Sequence, residues 1–373
     1  HGQVGAAYGG SFNEGVTRRT MVNVPKDSKI KIGSIFGGAY GFDLLKPCDV
    51  YEAHVNYQSS DATLIYDPDI HETYKGAIYG GNNACRRTLY GFVDIDAPVW
   101  QQHPTYGKTR GNVFGAGYGQ MTWSEYTEVN LNDGSEVYEV YGGAQNGAVL
   151  NAESASAFMN TYLNITKKED LPAYLQPYFK VYYQKDAFGE DIIENGVKVE
   201  DVATGVANWK QNWASTWTVG EGYYVPDGDF NKYITNIQTN LENPMTREAE
   251  MDDRASKTYK YNTNVIINKG AYVANYAYGG GLGDSSMSGS GDVYGTTYIT
   301  LLGGTVNKDI YAAGTTGAVY DYYKSEQFTA SATAYIKGGT CRNVYGGGWK
   351  GHVGTHTGGI HESNTGDIPG ETH

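Results

Sequence analysis

The densest grouping of catalytic side-chain types in this 373-residue chain is Asp67-Pro68-Asp69-Ile70-His71-Glu72, three carboxylates and an imidazole in six positions. Such groups can do acid–base work or hold a divalent ion when partners stand opposite them. No partner can be assigned here, and a solvated loop has the same composition. His352, His356 and His361 follow an H-x3-H-x4-H spacing in a glycine-rich stretch, a weak metal signal because zinc demands a compact tetrahedral set. Asp227-Gly228-Asp229-Phe230-Asn231 opens like a calcium loop, but Lys232 stands where such a loop needs glycine and Gln238 where it needs glutamate. Asp229 fits better as a helix N-cap. The GGGLGD run ending at Asp284 falls one residue short of the glycine–aspartate calcium repeat and occurs once, not in tandem. These signals assign no catalytic residue, metal or cofactor.

Recognition chemistry has a better candidate. Trp209, Trp213 and Trp217 recur every fourth residue, with Tyr223 and Tyr224 just beyond. Flat aromatic faces stack on sugar rings and protein side chains, and rigid rings lose little entropy on binding. The same spacing would also make the core stripe of a helix. The expectation is that at least two of these five lie on accessible surface and bind ligand.

Composition narrows the partner. The formal net charge is −13 and no Lys/Arg block occurs, which argues against a surface built to neutralise phosphates and so against nucleic acid. Three cysteines, Cys48, Cys85 and Cys341, supply neither a disulfide framework nor paired CxxC zinc ligands. A Cys48–Cys85 disulfide stays open on these grounds. No apolar run approaches the ~18 residues of a membrane-spanning helix. The chain opens at His1 without an initiator Met or a signal-peptide pattern, as a processed or truncated segment would. The Tyr-, Asn-, Thr- and Gly-rich make-up is compatible with an extracellular or outer-surface location.

The element that must position everything is a repeat. A short phrase returns eight times, with its aromatic at Tyr8, Phe36, Tyr79, Phe114, Tyr141, Tyr278, Tyr311 and Tyr345, at intervals of 28, 43, 35, 27, 137, 33 and 34 residues. Around it the last copies read as strand, glycine turn, strand, glycine turn, with period-two alternation in Tyr298-Ile299-Thr300-Leu301. A unit this small cannot bury its apolar face alone, so copies must stack at about 4.8 Å per strand. The expected fold is mainly β: a parallel β-solenoid whose repeated aromatics form a ladder. A propeller blade needs about 40–45 residues, more than the shorter intervals provide. Glycines fit the corners through positive φ or close backbone approach. Superposing the last two units puts Cys341 on Val306, an inward-facing position.

The 137-residue interval marks an insertion, dividing the chain into N-terminal coils (1–150), an inserted α+β module (151–261) and C-terminal coils (262–373). Ala155, Phe158, Met159, Tyr162 and Leu163 have helical spacing, as do Leu171, Tyr174, Leu175, Tyr178 and Phe179, the second limited by Pro177. Asn195-Gly196 between Ile193 and Val197 is a strong hairpin signal. A further helix is expected from Asp229, burying Phe230, Tyr233, Ile234, Ile237 and Leu241.

The Val-Tyr-Gly-Gly-Gly phrase at Tyr345, preceded by the Gly338-Gly339 turn and an alternating strand, resembles the repeats of very large surface proteins of Gram-negative gut bacteria. Those proteins are similar to right-handed β-helix adhesins and autotransporter passenger domains. The likeness covers roughly residues 1–150 and 262–360; Ala312 and Ala313 replace two of its glycines in one copy. It implies a right-handed parallel β-solenoid and a non-catalytic adhesin or surface scaffold that meets a glycan or protein on a cell surface, and it supplies no catalytic motif. The competing expectation is a β-helix polysaccharide lyase or glycoside hydrolase using Asp69 and Glu72. The motif's presence at Tyr8 and the glycine-rich sequence past Trp349 lead to the further expectation that the chain continues into, or stacks on, more repeats.

Overall fold

The computed structural model describes residues 3–13, 15, 17–41, 48–67, 69–70, 73–149, 165–171, 176, 179–217, 261–284, 290–320, 330–355, 368–369 and 371–372. Among them the protein is mainly β, with one α-helix, and nearly all strand pairings in its two large sheets are parallel. One sheet is built on the repeated aromatics. Tyr8, Phe36, Tyr79, Phe114, Tyr141, Tyr278, Tyr311 and Tyr345 pair in unbroken parallel register, each with its equivalent in the next repeat. Neighbouring ring centroids lie 4.7–5.2 Å apart with interplanar angles of 5–12°. Strand spacing imposes this distance, so one aromatic per repeat becomes a continuous stack.

The glycine after the aromatic is required by close approach in the first six copies, Gly9 to Gly279. A Cβ on Gly80 would sit 2.1 Å from the Gly115 carbonyl oxygen, and one on Gly142 2.2 Å from that of Gly279. Neither glycine has a positive φ, so of the two reasons a corner glycine could serve, contact with the next repeat is the one that operates. Where Ala312 and Ala313 replace glycine the register is kept, and both methyls are buried in the core.

The core lies between the sheets and is also laddered. Val55, Val93, Val129, Val265 and Ile299 pair in succession, as do Tyr57, Ile95, Leu131, Ile267 and Leu301 one residue pair along. All ten are buried, and the residues before the rings from Phe36 to Tyr311, such as Ile35, Ile78 and Val113, pack into the same core, whereas Val344 before Tyr345 is exposed. A recurrent hydroxyl ties the sheets together: Thr20, Thr127, Thr263 and Thr297 donate to the carbonyls of Gly37, Gly142, Gly279 and Ala312 at 2.5–2.6 Å. Outside, Asn56 donates to Asn23, Asn130 to Asp94, and Asn268 to Asn132, each one repeat away. Cys341 is half-buried against the core, whereas Cys48 is buried near the Tyr40 carbonyl, its Sγ 3.2 Å away. The side chain of Cys85 lies outside the description.

The long interval leaves the ladder intact. Strand Tyr118–Leu131 pairs through Ser124 with Val149 and through Thr127 with Thr263. Only Glu125 and Tyr126 therefore face the gap from which residues 150–262 depart and to which they return. The returning chain is fixed by Asn262, whose backbone N–H donates to Thr296 O and whose Oδ1 accepts from Thr296 N.

Within the insertion, the Asn-Gly signal is a two-residue hairpin between Ile193–Glu194 and Val197–Lys198, with φ of 49° at Asn195 and 79° at Gly196. The helix Val202–Trp217 is capped by Asp201, whose carboxylate accepts from the N–H and hydroxyl of Thr204 at 3.0 and 2.6 Å. The helix expected over 155–163, most of that over 171–179, and the one from Asp229 lie outside the described residues.

Candidate functional site

The aromatic series of the insertion divides on inspection. Trp209, Trp213 and Trp217 are on the helix Val202–Trp217. Trp209 is buried, its ring 6.2 Å from that of Phe179, and so belongs to the module's own packing. The side chains of Trp213 and Trp217, and all of Tyr223 and Tyr224, lie outside the described residues. In the acidic loop, Asp67 is half-buried with its N–H on the Tyr74 carbonyl, and Asp69 is exposed. Pro68, His71, Glu72, His356 and His361 are outside the description. Among the described residues no group of three His, Cys, Asp or Glu side chains could hold a metal ion, and no helix is long and apolar enough to cross a membrane.

A site that no motif marks stands on the flank of the aromatic sheet. Strand Lys31–Phe36 pairs through its first half with Thr63–Ile65 and through its second with Ala77–Tyr79. The chain between those two partners is therefore thrown out of the sheet as an arch, closed where Tyr66 bridges Lys75 and Asp67 N meets Tyr74 O at 2.9 Å. The next repeat does the same: Trp100–His103 continues the row of Thr63–Ile65, then folds back as a hairpin onto Gly107–Arg110, and Asn112–Phe114 rejoins the ladder. Gly107, at φ 71°, makes that reversal.

Together the two protrusions wall a cleft of about 690 Å3. On one side Tyr66 stacks on His103 at 4.9 Å, and Tyr106 lies tilted against His103 at 4.5 Å and 37°. Opposite stand Tyr118, with the Lys75 ammonium 4.0 Å above its ring, and Tyr138. Amides complete the lining. Gln101 donates to Gly76 O at 2.8 Å and accepts from Thr109, while Gln145 Oε1 accepts the Tyr79 hydroxyl at 2.6 Å. A rung of the ladder thus holds an amide of the cleft wall in place. Tyr106 is 75% exposed and Tyr138 43%, so their rings are open to a ligand.

The electrostatics are mildly cationic in an acidic chain. Lys75, His103 and Arg110 line the cleft, with no Asp or Glu among its described lining residues. Arg110 is held from behind, its Nε 2.8 Å from Glu136 and its guanidinium over the rings of Trp100 and Tyr272. Burial first, then neighbouring Tyr118 and Tyr66, pushes the Tyr79 hydroxyl well above the ordinary phenol range, so it remains a neutral donor to Gln145. Tyr138 is shifted up by partial burial and then by Glu139 and Tyr276. Glu139 is itself raised by burial, against hydrogen bonds from Tyr141 and Asn275. This arrangement can stack, donate and accept; among the described lining residues there are no paired carboxylates and no nucleophile–base couple.

These lining residues span Tyr66 to Gln145 with no common spacing, and motif reading passes over them. The signal that could have found them is the interval length: the 43- and 35-residue repeats are the two that carry the protrusions. Comparison with protein-family models, characterised proteins and solved structures finds no match.

Proposed function

We propose that the chain is a segment of an extracellular, non-catalytic surface scaffold or adhesin, in which a right-handed parallel β-solenoid presents the module at 151–261 for recognition of a glycan or protein on a cell surface. The observation that carries this reading is the Tyr141–Tyr278 step of the ladder. These rings stack at 4.9 Å although 137 residues separate them. A module that leaves and re-enters between adjacent rungs adds nothing to the stack's continuity, so its presence calls for a separate role.

Two further features support the scaffold. Parallel repeats with laddered cores give stability by nearest-neighbour contact, which suits display over distance. The resemblance of the Tyr-Gly-Gly-Gly phrase to Gram-negative surface repeats points the same way. The module's recognition surface is assigned to Trp213, Trp217, Tyr223 and Tyr224, with Trp209 buried on the helix Val202–Trp217. The test is binding to glycan arrays and host extracellular proteins by the full chain and by a version whose residues 151–261 are replaced with a short linker. The proposal expects binding that disappears with the module. Binding undiminished by the replacement would refute the module's role, and no binding by the full chain across such screens would count against an adhesin.

A further inference from the structure

We infer that the cleft between the two protrusions is a carbohydrate-binding site, separate from the module and built into the stacked repeats. The ligand it fits is an oligosaccharide with at least one sugar ring laid against tyrosine.

The lining defines the ligand class by exclusion and by match. A purely apolar ligand would leave the Gln145 amide NH2 and the second N–H of Gln101 facing carbon, their other groups being bonded to Tyr79, Gly76 and Thr109, and polar groups desolvated without partners cost free energy. A phosphate ligand calls for converging cations or a run of backbone N–H donors. Here Arg110 is engaged by Glu136 and Lys75 lies over the Tyr118 ring. A sugar ring has the missing combination: C–H groups on its faces and hydroxyls, each both donor and acceptor, around its rim. Tyr106 and Tyr138 offer exposed faces for the former, and the amides offer donors and acceptors for the latter.

The volume agrees. About 690 Å3 lies within the roughly 300–1,000 Å3 typical of small-ligand sites. Preorganisation also favours binding. The Tyr66–His103 stack, with Tyr106 tilted against it, lines one wall, the Tyr79–Gln145 hydrogen bond fixes an amide, and both hang from paired strands. Little ordering remains to be done when a ligand enters. The protrusions serve no repeat-stacking purpose that the other repeats lack, since Tyr79 and Phe114 keep the ladder register with them present.

The experiment uses the full chain and measures calorimetric binding to neutral oligosaccharides (cello-, xylo- and manno-series) and to uronate-containing ones. Substitutions are Tyr106→Ala and Tyr138→Ala, both at exposed positions, with Phe188→Ala on the module, 91% exposed, as the aromatic control. Thermal unfolding confirms that each variant is folded. The expected result is binding in at least one arm, weakened about fivefold or more by each cleft substitution and unchanged by Phe188→Ala. Failure of the wild-type chain to bind either arm overturns the inference, as does binding insensitive to both cleft substitutions. Glycan binding lost with the module but untouched by the cleft variants would sink this inference and leave the proposed function standing; the reverse pattern would do the opposite.

Discussion

Replacing Phe114 by alanine removes a ring from the middle of the ladder. Phe114 is fully buried and stacks on Tyr79 at 5.0 Å and on Tyr141 at 4.7 Å. Burial alone sets the cost of a Phe→Ala change at about 3–5 kcal/mol. The two lost stacks place Phe114→Ala toward the upper part of that range, at ~0.5–1.5 kcal/mol each. The comparison is Tyr345→Ala at the last rung. Tyr345 is 44% exposed and, among the described residues, stacks on one ring, Tyr311 at 4.9 Å. With one stack and partial burial it should cost about 1 kcal/mol. Urea unfolding followed by tryptophan fluorescence gives the midpoints, and amide exchange locates the loss. For Phe114→Ala, exchange should speed up in the strands Ala77–Tyr79 and Val140–Tyr141 on either side, because coupling runs between nearest neighbours. Equal midpoint shifts for the two variants would refute the ladder as a nearest-neighbour stabiliser, and so would a Phe114→Ala cost below about 1 kcal/mol.

Three further outcomes follow from the same geometry. Gly142→Ala forces a Cβ to 2.2 Å from the Gly279 carbonyl and should prevent soluble folding or lower the urea midpoint sharply, whereas Gly107→Ala, with nothing within 4 Å, should cost only the strain of φ 71° at about 1 kcal/mol. Thr127→Val removes the 2.6 Å bond to Gly142 O, with an expected loss of about 1 kcal/mol by the same unfolding assay. Glu125, buried beside Arg87 at 3.2 Å, has its carboxyl pushed up to about 8 by desolvation, only partly offset by the arginine. A carboxyl raised above its unfolded value stabilises fully below that unfolded value and loses the contribution as pH rises through about 8. Melting temperature should therefore fall between pH 5 and 9, and Glu125→Gln should flatten the profile; a rise over that window would contradict the burial argument.

The aromatic ladder could be read from the sequence because each rung imposes the same local demand. The ring must meet its equivalent one strand away, and the next position is glycine at every rung but that of Ala312, as at Gly80, where a Cβ would meet a carbonyl at 2.1 Å. A constraint renewed at every repeat leaves a repeated phrase. The Asn195-Gly196 hairpin was readable for a similar reason, since its φ values are ones that few other pairs adopt. The cleft had no such mark. Its tyrosines come from an arch and a hairpin whose proximity depends on the row joining Thr63–Ile65 to Trp100–His103, a pairing between residues about 37 apart. The acidic loop stands out in the sequence for Asp67, Asp69, His71 and Glu72, whereas the described residues that this arch places in the cleft are its flanks, Tyr66, Tyr74 and Lys75. The threonine row escaped notice because Ala53, Gly91 and Ala332 interrupt it.

The position of the insertion explains how the stack bears it. Loop-closure entropy grows only logarithmically with length, so lengthening a connection adds little cost once its ends are fixed. Here the ends are fixed by the stack itself: Val149 lies against Ser124 and Thr263 against Thr127, across a space that Glu125 and Tyr126 span in the neighbouring strand. Asn262 adds a side-chain bond to Glu125 O and a reciprocal pair with Thr296, so the returning chain is held from both neighbouring repeats. Registration of the later repeats thus depends on residues 262–267 and not on the contents of the module. The protrusions at 66–76 and 103–107 obey the same rule on the other sheet, leaving between paired strands and returning to the next rung. Each departure keeps the ladder's spacing while adding surface the ladder does not need, so the repeats can carry added segments from either sheet without altering their core.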